Sequence, residues 1–168
     1  MCKHPQAETA KLRPGLPTIE QALADWERER GLTGQTRQAE YVSSPITSGR
    51  RYVEWLKRKE KTLEQGSDDN DTSHSAHVVL CNLRETARFV EVHRWRGVAY
   101  IIDPSTFSIE GWDQETYHKF WLLVIERHVR RVVFLKGWEY STGCTLEFEH
   151  AQKLNIETVD AEFYALNL

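Results

Sequence analysis

Several signatures are missing from this 168-residue chain, and each absence narrows its class. Cysteine is scarce. Cys2, Cys81 and Cys144 are odd in number and share no metal-ligand spacing, which argues against a disulfide framework and against a zinc site. No apolar run approaches the ~20 residues of a membrane span, and no signal-peptide stretch opens the chain. No membrane partner is therefore expected, and the expected address is the cytoplasm. Neither sign of charge dominates: a net charge of −3 supplies no global basic field, so nucleic acid is not an expected partner. What is there is an ordinary globular composition, 40% apolar and 28% charged, at a length that suits one core rather than two.

Residues 1–17 carry Pro5, Pro14, Gly15 and Pro17 without periodicity and read as a mobile arm before a single domain over 18–168. Thr18 caps a helix over IEQALADWERERG, with Gln21 completing a capping box and Gly31 ending it. A first strand follows over 40–46, then a turn at Thr47-Ser48-Gly49 and a helix over 50–65. The polar, acidic run GSDDNDTSHS at 66–75 reads as a flexible surface loop. A long helix is expected from Ala76 to Trp95. The continuous apolar run at 98–104, VAYIIDP, suits a parallel strand covered on both faces. Trp112 to His128 reads as a helix, 131–137 as a third strand, the stretch to about Lys153 as a helix, and 156–159 as a fourth strand. That alternation predicts an α/β three-layer sandwich on a mostly parallel sheet of four or five strands, flavodoxin-like or Rossmann-like.

The most informative stretch is Val132 to Ala151, an apolar strand, a polar turn on Ser141-Thr142-Gly143, and a helix carrying an acid one turn inside it. Advancing about 100° per residue from Gly143 gathers Cys144, Glu147, Ala151 and Leu154 within about one quadrant, and puts Glu149, Gln152 and Lys153 opposite. Glu149 is then the solvent acid. Glu147 lies on the small, apolar face, where a carboxylate is costly unless it is paired or used. A glutamate in an early helical turn also favours the dipole, and Ser141 and Thr142 also serve as N-caps. Cys144 occupies a first turn, where a thiol pKa tends to fall, but no histidine partner is evident and packing is the favoured reading.

At these residues the chain resembles the nucleoside 2-deoxyribosyltransferase-like superfamily, which includes nucleoside deoxyribosyltransferases and nucleoside 5′-monophosphate N-glycosidases. One similar segment is Tyr41-Val-Ser43-Ser44-Pro45-Ile46-Thr47-Ser-Gly49-Arg50, the first strand and its loop. The other is Ser141-x-Gly143-x-x-x-Glu147-x-x-x-Ala151. With the strand order the likeness spans 40–159. It implies Glu147 as the nucleophile that attacks C1′ of the sugar, and Ser141 facing a phosphate. It implies Tyr41 near the sugar–base junction, and backbone around 45–49 and Gly143 lining sugar and phosphate. Ser43, Ser44, Ile46, Thr47 and Thr142 complete that lining. Arg50 is a phosphate partner or a solvated arginine, and Tyr41 a site or a core aromatic. Asp103, at the end of the second strand, is a sugar-hydroxyl acceptor or a turn opener. Trp112 and Trp138, beside loops after strands, are surfaces on which a base could stack. Two departures stand out. Ser44 replaces a loop glycine, and the second acid has no clear match on the helix before the third strand, where Asp113 lies too early and Glu126 too late.

The expected activity is hydrolysis or transfer at C1′ of a nucleoside or nucleoside 5′-monophosphate, with no cofactor and no metal. Ser141 in place of an acid tilts this toward hydrolysis of a phosphorylated substrate. The alternative is a sensor that binds a nucleotide or an ADP-ribose-like ligand without turnover, and a protein-interaction role comes third. A homodimer is expected by resemblance.

Overall fold

The computed structural model describes residues 15–35, 37–64 and 75–166. Most of the arm read at 1–17 and nearly all of the loop read at 66–75 lie outside them. Within the arm, Leu16 packs against the core, so the chain is already anchored before the first helix.

That helix, α1 (Ile19–Glu29), begins on Thr18, whose hydroxyl accepts from the Gln21 amide while the Gln21 side chain accepts from the Thr18 amide. Two first-turn donors are thereby satisfied reciprocally. Ala22, Leu23 and Trp26 are its buried stripe. Strand β1 (Ala39–Ser43) is buried along its whole length. Helix α2 (Arg50–Glu64) follows. A π-helical turn at Ser75–Val79 leads into α3 (Leu80–Trp95), so the helix expected from Ala76 starts as a wider turn. Strand β2 (Ile101–Ile102), α4 (Gln114–His128), β3 (Val129–Phe134), α5 (Thr142–Lys153) and β4 (Glu157–Asp160) complete the chain.

All four strands are parallel, in the order β2-β1-β3-β4. Helices cover both faces, giving the three-layer α/β sandwich expected of a flavodoxin-like or Rossmann-like chain. On one face α1, α4 and α5 enclose the larger core, in which Trp26, Tyr41, Phe120, Trp121, Phe134 and Phe148 are buried. Trp26 meets Phe120 and Trp121 edge-on, with ring centroids 6.3 and 6.2 Å away. Such pairs add about 0.5–1.5 kcal/mol to the area they bury. On the other face α3 packs Val90 and Phe89 against Val42 and Leu135. The chain leaves β1 toward β2 on one side and returns to β3 on the other, so the strand order reverses between β1 and β3. Open α/β sheets bind ligands outside the carboxyl ends of the strands at such a reversal.

The strand bounds differ from those read in the sequence. The run expected at 98–104 contributes only two paired residues at the sheet edge, and Tyr100 is 42% exposed. The reason is local. Gly97 turns with φ +86°, and the Val98 amide still donates to the His93 carbonyl of α3, so the chain is not free to pair until the Tyr100 carbonyl accepts from the Glu40 amide. Strand β1 stops at Ser43 rather than at residue 46. Strand β3 starts at once where α4 ends and closes at Phe134.

Candidate active site

Strand alternation sets the first half of the site. Residues two apart on β1 face the same side of the sheet, so Tyr41 and Ser43 both point toward α5. Helix α5 starts just after β3, and Glu147 lies one turn beyond Gly143 on the side facing β1. The two meet. The Tyr41 hydroxyl donates to one Glu147 carboxylate oxygen at 2.5 Å, and the Ser43 hydroxyl donates to the other at 2.6 Å. Tyr41 and Ser43 are both fully buried, and Glu149 is exposed, as the helix phase required.

No cation pairs with Glu147 among the described residues. Its side chain is partly accessible, yet desolvation pushes its carboxyl up from 4.5 to about 7, against the pull of the Ser43 and Tyr41 hydrogen bonds, which favour the charged form. Burial, and then the Glu147 charge, also hold the Tyr41 hydroxyl well above its ordinary range. Cys144, in the first turn of α5, is 3% exposed. Burial raises its thiol to about 12, with the Glu147 charge adding to the rise, so the fall expected of a first-turn thiol does not occur. It is a packed, neutral group.

Ser141 is the N-cap residue of α5, but its side chain makes no capping bond to the helix amides. It is 6% exposed and its hydroxyl lies by the Cys144 thiol. The first turn of α5 therefore presents backbone donors that the Ser141 side chain does not cap, with Thr142 exposed beside them. Gly143 has no side chain to cover them.

Two glycines join the loops that follow β1 and β3. Gly49 adopts φ +82°, and a Cβ there would lie 2.6 Å from Pro45 Cβ and 3.3 Å from the Gly137 carbonyl oxygen. Gly137 adopts φ +87°, and a Cβ there would lie 2.9 Å from Arg50 Cβ. Both positions demand left-handed backbone and an absent side chain, so the loops touch main chain to main chain at the strand reversal.

The remaining sequence-derived positions divide. Ser44 points to the other face of the sheet, where its hydroxyl pairs with that of Thr86 on α3 at 2.6 Å. The Ile46 carbonyl accepts from the Asn82 side chain at 3.0 Å, and Thr47 is exposed at the loop tip. Arg50 pairs with Glu54 at 2.8 Å, at the surface. It lines a cavity of about 200 Å³ with Pro45, Arg51, Glu54, Asn82, Glu85 and Lys136, and Glu147 is not part of that wall. Asp103 closes a turn by accepting from the amide and hydroxyl of Ser105, and lies near enough to Tyr41 for its charge to add to that hydroxyl's shift.

The two tryptophans are packed. Trp112 is 8% exposed, with Tyr117, Phe120 and Phe107 around it, which leaves no free face for a base. Trp138 is partly buried and stacks on Phe148 at 4.8 Å. Two residues near the first turn of α5 were not singled out from sequence. Tyr140 is 60% exposed, immediately before Ser141. His118, half-buried on α4, lies over Gly143. Its signal in the sequence is modest: 118, 121, 125 and 128 form one helical stripe, of which Trp121, Ile125 and His128 are buried.

Among the described residues no three His, Cys, Asp or Glu side chains converge on a metal-sized position, and no helix is long and apolar enough to cross a membrane. Comparison of the chain with protein-family models, with curated proteins and with solved structures gave no match.

Proposed function

We propose that this chain is a nucleoside or nucleoside 5′-monophosphate N-glycosidase whose nucleophile is Glu147. The observation that carries the reading is the carboxylate itself. It stands at the strand reversal, each oxygen is held by a neutral hydroxyl, and among the described residues no cation pairs with it. A carboxylate pinned from behind by two donors keeps a fixed direction of attack, and poor solvation keeps it reactive. The sequence resemblance over 41–50 and 141–151 supplies the target atom.

In the first step one Glu147 oxygen attacks C1′, the C1′–N bond breaks, and its electron pair leaves with the base. Water then attacks C1′ of the glycosyl ester, returning the carboxylate and releasing the sugar or sugar phosphate. Tyr41 and Ser43 position the nucleophile rather than the substrate, since both are buried beneath it. A substrate phosphate would gain from the uncapped amides at the start of α5, which attract anions. Incubation with a panel of nucleosides and nucleoside 5′-monophosphates, followed by chromatography for free base, tests the reading. Release of base from at least one compound is expected, and release from none contradicts it.

One observation favours a second reading, a nucleotide-binding module without turnover. A cavity of about 200 Å³ is walled in part by Arg50, Arg51 and Lys136, apart from Glu147. Under that reading a nucleotide raises the melting temperature and is recovered intact.

A further inference from the structure

Cleavage of an unactivated C1′–N bond needs a proton delivered to the departing base, and the groups around Glu147 are poorly suited to give one. Tyr41 and Ser43 already spend their hydrogens on the carboxylate. The Cys144 thiol is raised to about 12. Asp103 is engaged by Ser105. Of Tyr140 and His118, the two further side chains noted beside the first turn of α5, His118 is the imidazole. Histidine is the side-chain type that ordinarily exchanges protons near neutral pH.

Its placement is specific. A Cβ on Gly143 would lie 3.2 Å from His118 Nε2 and 3.7 Å from Cδ2, so the imidazole edge rests on the first turn of α5 and the glycine leaves the room it needs. Gly143 and Glu147 are four residues apart on one helix, which puts their Cβ positions about 5–6 Å from each other. The ring is thus about one helical turn from the nucleophile, along the shared face. His118 makes no hydrogen bond or ion pair with another described residue, and it remains partly accessible. It is carried by a rigid element: Tyr117, its neighbour on α4, exchanges hydrogen bonds of 2.7 and 2.9 Å with the amide and carbonyl of Ile109. Lys119, on its other side, is drawn off to Glu115.

We propose that His118 is the proton donor to the leaving base, an inference that rests on the N-glycosidase reading. In the first step the Glu147 carboxylate bonds to C1′, the C1′–N electron pair passes to the base nitrogen, and the His118 imidazolium gives its proton to the base. The products are the glycosyl ester, the neutral base and a neutral imidazole. In the second step that imidazole takes a proton from the attacking water, so the carboxylate and the imidazolium are both regenerated.

The test exploits leaving groups that need no proton. Base release is measured for wild type and His118→Gln on 2′-deoxyguanosine and 2′-deoxycytidine 5′-monophosphates and on their cationic N7-methyl and N3-methyl forms. The variant is expected to lose about 100-fold or more on the unmodified compounds, the usual scale of acid catalysis, and to stay within a few-fold of wild type on the methylated ones. Retained cleavage of the methylated compounds also reports that the variant is folded. Equal losses on both sets, or no loss on either, overturns the role of His118 and leaves Glu147 standing. Wild-type cleavage confined to the methylated compounds overturns it too. No base release by wild type from any of the four, or from the wider panel, removes the N-glycosidase reading and this inference with it.

Discussion

Two glutamates are withdrawn from water around β1, one on each face of the sheet, and they are handled in opposite ways. Glu40, on β1 itself, is 2% exposed and takes Arg130 at 2.9 Å and Arg131 at 3.0 Å on a single oxygen. Arg131 reaches on to Glu157 at 2.8 Å, so Glu40 belongs to a charge network across β1, β3 and β4. Glu147, on the opposite face, receives two neutral hydroxyls and, among the described residues, no cation. A buried charge is tolerated when it is paired, and the first glutamate meets that condition while the second does not. The difference separates a carboxylate used to hold strands together from one kept available for chemistry.

The sharpest way to break the comparison is to neutralise each acid in turn. Glu147→Gln is expected to lose base release by about 10³-fold or more, the scale seen when a nucleophile is removed. Glu40→Gln should keep its rate within about twofold of wild type, but lose roughly 1–3 kcal/mol of stability as its arginines lose a charged partner. Denaturant melts beside rate measurements check both halves. A fall in rate for Glu40→Gln matching that of Glu147→Gln would erase the distinction.

Stability against pH gives the next largest effect. In the unfolded chain the Glu147 carboxyl ionises near its ordinary 4.5, whereas in the fold it holds its proton to about 7. Between those values the native state binds more protons than the unfolded one, so raising the pH through this window destabilises the fold. The loss is on the order of 3 kcal/mol and levels off above about pH 7. Glu147→Gln should remove that contribution and be more stable than wild type at pH 8 by a similar amount. A wild-type profile no steeper than that of the variant between pH 5 and 8 would count against the desolvated carboxylate.

A smaller effect is expected from Tyr41→Phe, which keeps the ring beside Trp121 and deletes one donor to Glu147. Hydrogen bonds to charged groups contribute about 1.5–3 kcal/mol, so the rate should drop by roughly 10- to 100-fold. With one stabiliser of the charged form gone, the acid limb of the pH–rate profile should move to higher pH. A limb that stays in place would show that Tyr41 does not tune the carboxylate.

Part of this contrast is legible in the sequence: helical phase separates Glu147 from Glu149, because it follows from the repeat of one element. The capping box at Thr18 and Gln21 formed for the same local reason. The resemblance groups Ser44 with Ser43 in the lining, whereas alternation on β1 pairs Ser43 with Tyr41 and turns Ser44 to Thr86 on the other face. What escaped depends on contacts distant in sequence. Trp112 looks like a loop aromatic until Phe107 folds back beside it and the Tyr117 hydroxyl clips Ile109. The run at 98–104 has the composition of an interior strand, yet the Val98 amide is held to the end of α3, and only two residues pair. His118 acquires its meaning from Gly143, which lies 25 residues away on another helix. Neighbouring loops behave alike: nothing in the local sequence says that Gly49 and Gly137 meet.

The nucleophile claim is tested most directly by capturing the ester. A 2′-fluoro-arabinosyl analogue of whichever nucleoside or nucleotide is cleaved fastest carries an electron-withdrawing group beside C1′, which slows the return of water to the glycosyl-enzyme. Mass measurement of acid-quenched protein should show one added sugar unit, with fragmentation locating it on Glu147 and Glu147→Gln remaining unlabelled. Base release from the analogue with no added mass, or an adduct on any other residue, would contradict the account.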